Sequence, residues 1–178
     1  MGSQKYPDED KFGQFIAENG GYTNASTDWE WTRYYYSITK EHLAESLDIF
    51  GQLFVHPLLS QGGMDREIEA IESEFKGNFT SDSSRILQLL CEEADEGSNV
   101  RRFGWGNKKT LKVEGSWEEV KSFWQKEYGA ERIKLVVHSA GVESVEKTIK
   151  EIYGAIPSRH IEAPNYQISC PHVKSADQ

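Results

Sequence analysis

Residues 65–74 (DREIEAIESE) constrain this 178-residue chain more than any other segment. Met64, Ile68, Ile71 and Phe75 recur at the three- and four-residue spacing of one helix face, so the segment reads as an amphipathic helix. Seven residues is close to two helical turns, so Glu67 and Glu74 project almost the same way. They stand at one edge of the apolar stripe, and Glu69 and Glu72 stand past its other edge. Carboxylates beside a buried face need a reason, because burying charge is costly unless it is paired or metal-bound. Two readings stand. Either Glu74 ligates a metal while Glu67 hydrogen-bonds a neighbouring ligand, or both belong to the solvated side of an acidic surface helix. The metal reading demands partner ligands, and none of the five histidines has another at ligand spacing.

The rest of the chain alternates helical runs with a few extended ones. Phe12, Phe15 and Ile16 mark a helix that ends at Gly20 and Gly21. Residues 22–38 read as extended chain, dense in Trp29, Trp31, Tyr34, Tyr35, Tyr36 and Ile38, with Asp28 marking a break between two strands. Thr39 is the predicted N-cap of a helix carrying Leu43, Leu47, Phe50 and Phe54, which Pro57 closes. Gly62 and Gly63 are expected to precede the acidic helix. A further helix is predicted over residues 86–94 after a turn and cap at 81–84, then a Gly-, Asn- and Arg-rich loop over 95–110. Ser116 is the expected cap of a helix with Trp117, Val120 and Trp124 on one face. Ile133, Leu135 and Val137 predict a strand over 132–138, and Val142, Val145, Ile149 and Ile152 a final helix. After Pro157 the chain turns polar and irregular, with Pro164 and Pro171. Runs of helices between few strands indicate an α+β fold. Two or three strands are too few for an independent sheet, so the sheet reads as incomplete.

Composition narrows the function classes. The net charge of −9 disfavours nucleic acid as a partner, since phosphate would be repelled. Cys91 and Cys170 match no metal spacing and make no disulfide framework, which suits a reducing, cytoplasmic setting. No apolar run approaches the roughly 18 residues of a membrane span, and the N-terminus has no apolar signal core. Asn24-Ala-Ser and Asn78-Phe-Thr fit the glycosylation pattern and are read as chance matches.

Several chemistries are missing. There is no nucleophile elbow, phosphate-binding glycine loop or Cys-x-x-Cys. His42, Leu43, Ala44, Glu45 and Ser46 begin like H-x-x-E-H, but Ser46 stands where a second histidine would be, so this helix cannot grip zinc. His42 is expected to be an exposed first-turn residue and His56 a helix-end residue. His138 ends a predicted strand, and His160 and His172 lie in the polar tail. The segment 103–107 (FGWGN) is read as a tight turn anchored by Trp105.

Taken together, residues 1–7 (MGSQKYP), 20–27 (GGYTNAST), 32–35 (TRYY), 65–74 and 103–107 with Thr110 and Leu111 resemble the M16 zinc metallopeptidases, the inverzincins, in the nardilysin and insulin-degrading-enzyme branch. They occur in family order and at family-like spacing from residue 1 to about 157. The resemblance implies a partial N-terminal, catalytic-type domain over 1–157: an antiparallel-rich sheet packed with several helices. Residues 158–178 would be an irregular tail or the start of a linker. It implies that Glu74 is the third protein ligand of a zinc ion and Glu67 a supporting carboxylate. It also implies that Asn24, Ala25, Ser26 and Thr27 belong to an edge strand that pairs with the backbone of a peptide substrate.

The resemblance also has a gap. The family's H-x-x-E-H helix, which supplies two histidines and the general-base glutamate, has no counterpart among these residues, nor does the first strand of the domain. The expectation is therefore a fragment of a zinc endopeptidase that neither holds catalytic zinc tightly nor cleaves peptides alone. Its partners would be peptides and the remaining parts of such an enzyme, not nucleic acid or the membrane interior. The alternatives are a non-catalytic peptide-binding module, with proline at position 24 expected to abolish binding, and a pseudo-subunit paired with a full-length relative.

Overall fold

The computed structural model describes residues 1–28, 30–94, 96, 98, 101, 104–141 and 143–162. Among them are seven α-helices and one two-stranded antiparallel sheet, the expected α+β class. The described residues divide into two compact units, 1–63 with 117–162, and 64–116.

The first unit is built around α2 (Leu43–Val55), which buries Ser46, Leu47, Ile49, Phe50, Gly51 and Val55. Helix α1 (Lys11–Glu18) supplies Phe15 and Ile16. Gly20 follows it at φ 71°, a left-handed value that stops a helix and suits glycine. The ribbon comes next: β1 (Tyr22–Thr27) pairs with β2 (Thr32–Ser37), Asn24 opposite Tyr35 and Ser26 opposite Arg33. Period-2 alternation puts Tyr34 and Tyr36 on the face toward α2. The Tyr36 ring meets Phe12 and Phe50 at 5.3 and 5.1 Å between centroids, and Tyr34 meets Phe54 at 5.5 Å. Helix α7 (Glu143–Tyr153) covers another side of α2, with the Tyr153 hydroxyl donating to the Leu47 carbonyl at 3.2 Å. Gly51 permits that approach, because a Cβ there would collide with Ile152 and press on the Tyr153 ring. Each of Ile16, Leu47 and Ile49, all nearly fully buried, stabilises the unit by about 1.5–3 kcal/mol.

The first seven residues are tied in. The Gln4 amide donates to the His56 carbonyl at 2.9 Å and the Leu58 amide to Gly2 at 3.0 Å. The Tyr6 hydroxyl donates to Asp48 Oδ2 at 2.8 Å, and Lys5 pairs with the same oxygen. Burial of Asp48 favours its neutral form. The Lys5 and Tyr6 hydrogen bonds outweigh that and hold its pKa below the usual carboxylate value. Helix α6 (Ser116–Glu127) anchors through Trp117 Nε1, which donates to the Leu59 carbonyl at 2.7 Å.

The second unit holds most of α3 (Gln61–Phe79) with α4 (Asp82–Glu92) and the single turn α5 (Lys108–Leu111). Its buried apolar residues are Ile68, Cys91 and Ala94. Ser81 caps α4 through the Ser84 amide, as the turn signal indicated.

Four expectations need correction. Helix α3 starts at Gln61 and contains Gly62 and Gly63, because Ser60 Oγ accepts from the Gly63 amide at 3.0 Å and caps the helix earlier. Thr39 makes no side-chain cap, and a 3₁₀ turn, Lys40–His42, precedes α2. His42 is half-buried rather than exposed, edge-on to Phe15 at 6.0 Å. The strand predicted over 132–138 does not form: a 3₁₀ turn, Ala130–Arg132, is followed by unpaired chain. The alternation survives in part, with Ile133 and Val137 half-buried and Val136 89% exposed. No described strand lies alongside to complete a ladder, and unpaired backbone cannot be a strand. Trp29, Phe103, Val142, Pro164, Cys170, Pro171 and His172 lie outside the described residues.

Candidate functional site

Helix α3 carries two acidic edges that differ in what they touch. At about 100° per residue, Asp65, Glu69, Glu72 and Lys76 fall in one stripe about 60° wide. Each of its carboxylates is engaged. Lys112 Nζ lies 3.1 Å from Asp65 Oδ1, and Lys108 Nζ lies 2.5 Å from Glu69 Oε1. Glu72 accepts from the Lys108 amide at 2.8 Å and pairs with Lys76 at 3.2 Å. The Lys108 amide, then Lys76, hold the Glu72 pKa below its usual value, and Glu69 raises that of Lys108. This edge docks α5, whose start is closed by a reciprocal cap: Asn107 Oδ1 accepts from the Thr110 amide and Thr110 Oγ1 from the Asn107 amide, both at 3.0 Å. Glu72, Phe75, Asn107, Lys108, Lys109 and Lys112 line an open depression there.

Glu67 and Glu74 lie on the opposite side of that stripe, at about 180–200° from Asp65 by the same rotation, and both are exposed. Among the described residues neither carboxylate has a hydrogen bond or an ion pair; only the Glu74 backbone carbonyl is used, by Asn78 Nδ2 at 3.0 Å. The sequence-named pair is therefore brought together on one helix edge and left open. No group of three or more His, Cys, Asp or Glu among the described residues stands close enough to hold a metal ion. Zinc takes three or four ligands. The residues present do not by themselves fit a zinc site.

Residues 24–27 lie on the ribbon, in the other unit. The Asp28 amide donates to the Trp31 carbonyl at 2.9 Å, continuing the register in which even-numbered β1 residues exchange hydrogen bonds with β2. The amides and carbonyls of Thr23, Ala25 and Thr27 consequently point away from β2. Gly21 obeys the same parity, and its amide is taken by the Ile16 carbonyl at 2.9 Å. Beyond that point the outer edge of β1 has no strand beside it among the described residues. On the face away from α2, the Arg33 guanidinium stacks over Tyr35 at 4.8 Å and Trp31 at 5.5 Å.

His56, His138 and His160 are exposed. The clamp at Glu131 was not foreseen. Its carboxylate accepts from the Ser158 hydroxyl, the Arg159 amide at 2.8 Å and the His160 amide at 2.7 Å. The Ser158 hydroxyl first, then backbone amides, pull its pKa down to about 2. No local pattern announces a contact across 27 residues. The Asn107–Thr110 cap falls within the segment read as a loop over 95–110; its overlooked signal is an Asn and a Thr three apart, which can satisfy each other's amides at a helix start.

Residues 1–102 match the family profile described as Insulinase (Peptidase family M16). Nardilysin of Rattus norvegicus is 37% identical over 173 residues, covering 93% of this chain and 15% of that protein. Insulin-degrading enzyme of Mus musculus is 30% identical over 173 residues, covering 93% of this chain and 17% of that protein. The crystal structure of pitrilysin superposes with a TM-score of 0.87 at 28% identity, covering 98% of this chain and 19% of that one. The chain thus spans less than a fifth of the length of these relatives. No helix among the described residues is long and apolar enough to cross a membrane. With the family profile covering more than half of the sequence, and with pitrilysin sharing its fold over 98% of the chain, the chain belongs to the insulinase family, peptidase family M16.

Proposed function

We propose that this chain is a segment of the N-terminal, catalytic-type domain of an M16 zinc metalloendopeptidase, with residues 1–157 in the domain and 158–178 an irregular tail or the start of a linker. In the complete enzyme Glu74 serves as a zinc ligand, Glu67 supports it, and residues 24–27 align the extended backbone of a peptide substrate. The observation that carries this reading is the contrast on α3. Its carboxylates on one edge are all engaged, and the two named by the family pattern have no side-chain partner among the described residues. The 178 residues contain no H-x-x-E-H, so by itself the chain offers one carboxylate ligand and no general base from that motif.

The test has two parts. The purified chain, given zinc and a quenched fluorogenic peptide, is expected to show no turnover that a chelator removes; chelator-sensitive turnover would overturn the inactivity. The transcript is then read in frame upstream of Met1. If it encodes H-x-x-E-H, the longer protein is expressed, and Glu74→Gln is expected to lose bound zinc while Glu69→Gln keeps it. Full zinc content in the Glu74→Gln protein sinks the ligand role. A second reading, peptide binding without catalysis, is favoured by the open outer edge of β1. It predicts micromolar peptide binding in the absence of zinc.

A further inference from the structure

The outer edge of β1 is not uniformly available. Three amides past Gly21 point outward by the register: Thr23, Ala25 and Thr27. The central one already has an acceptor, because the Ala25 amide donates to Asn24 Oδ1 at 2.8 Å. Only the carbonyl oxygen of the Asn24 side chain can play this part, since its NH₂ has no acceptor capacity toward an amide. A peptide adding as a third strand needs the Ala25 amide for its own carbonyl. It must therefore displace the Asn24 side chain.

We propose that the Asn24 side chain is a reversible lock on this edge, competing with an incoming extended peptide for the Ala25 amide. The proposal rests on the reading of β1 as the peptide-accepting strand. Asn24 is exposed, so the displaced carboxamide turns into water and remains solvated. The lock is weak for that reason, since a net hydrogen bond of this kind shifts an equilibrium by about two- to tenfold. Its placement has a physical use. An open edge strand is a template for unwanted pairing, and a local side-chain acceptor at its centre blunts it without closing it. The same geometry redirects the proline test: the Asn24 amide faces β2, so proline at 24 breaks the hairpin, whereas proline at 25 removes an outward donor.

Fluorescence anisotropy with fluorescein-labelled oxidised insulin B chain, an unstructured peptide, tests this on the full 178-residue chain without zinc. Ala25→Pro is expected to lose binding. Asn24→Ala is expected to bind about fivefold tighter than the parent chain. Asn24→Asp is expected to bind more weakly, because a charged acceptor holds the amide more firmly. If Ala25→Pro loses binding but Asn24→Ala is no tighter, the lock is overturned and the edge stands. If Ala25→Pro binds as well as the parent, or no variant binds, the edge reading fails and the lock with it. Amide hydrogen exchange in the free chain checks the lock without any ligand. Ala25 is expected to exchange several-fold faster in Asn24→Ala, with Thr27 unchanged; equal rates at Ala25 overturn the proposal.

Discussion

Helices α2 and α4 are both amphipathic, and the structure treats them differently. Helix α2 buries six residues against α1, the ribbon and α7. Helix α4 buries only Cys91, and Ile86, Leu87, Leu89 and Leu90 are 51–66% exposed. A periodic apolar face states that burial is favourable and leaves open what covers it. In the first unit the cover comes from this chain. In the second, nothing among the described residues supplies it, and the chain covers less than a fifth of nardilysin and of pitrilysin.

The largest test of that contrast is Leu47→Ala. Leu47 is nearly fully buried in α2, and its truncation is expected to cost about 2–5 kcal/mol in urea unfolding. A loss under 1 kcal/mol would mean that the first unit is not the packed body described here. Gly51→Ala is expected to cost about 1–3 kcal/mol by forcing α7 off α2, read as a lower urea midpoint. An unchanged midpoint would show that the two helices do not approach so closely in solution.

On α4 the prediction reverses sign. The parent chain is expected to bind the dye ANS, and the double substitution Leu89→Ser with Leu90→Ser is expected to lower that fluorescence severalfold while changing stability by less than about 0.5 kcal/mol. A large destabilisation would place those leucines in a core. A sharp melt of the parent chain with no dye binding would argue for a self-sufficient domain.

The smallest effect is local and pH-dependent. The Glu131 pKa is lowered from 4.5 to about 2, so its clamp on residues 158–160 is complete above pH 4.5 and is lost as pH falls toward 2. Protection of the Arg159 and His160 amides, measured against their intrinsic exchange rates at each pH, should therefore fall on acidification through that window. Glu131→Gln should show low protection already at pH 6 and little further change in it. Because the group is fully exposed, the effect is confined to this junction. Identical exchange in both proteins would remove the clamp.

Much of the architecture was legible because it rests on local chemistry. The periodicity of Leu43, Leu47 and Phe50, the stop at Gly20 and Gly21, the Ser81 cap and the aromatic density of residues 31–36 each name an element from residues a few positions apart. The failures share a cause as well. Ile133, Leu135 and Val137 alternate like a strand, but a strand exists only if a neighbour accepts its hydrogen bonds. Thr39 has the right chemistry for a cap, but its hydroxyl goes to the Asn19 carbonyl at 3.4 Å, twenty residues away in sequence.

The candidate site divides along the same line. Sequence alone was enough to put Glu67 and Glu74 on one helix edge, since two turns return a side chain to the same direction. It also sufficed to place residues 24–27 on a strand and to show that no H-x-x-E-H accompanies them. Only the tertiary structure separated the engaged carboxylates of α3 from Glu67 and Glu74, which have no side-chain partner among the described residues, because Lys108 and Lys112 arrive from a segment more than thirty residues on. Only the pairing register of β1 with β2 decided which amides face outward, and hence that Asn24 stands over one of them. Strand parity belongs to two segments at once, and neither segment specifies it by itself.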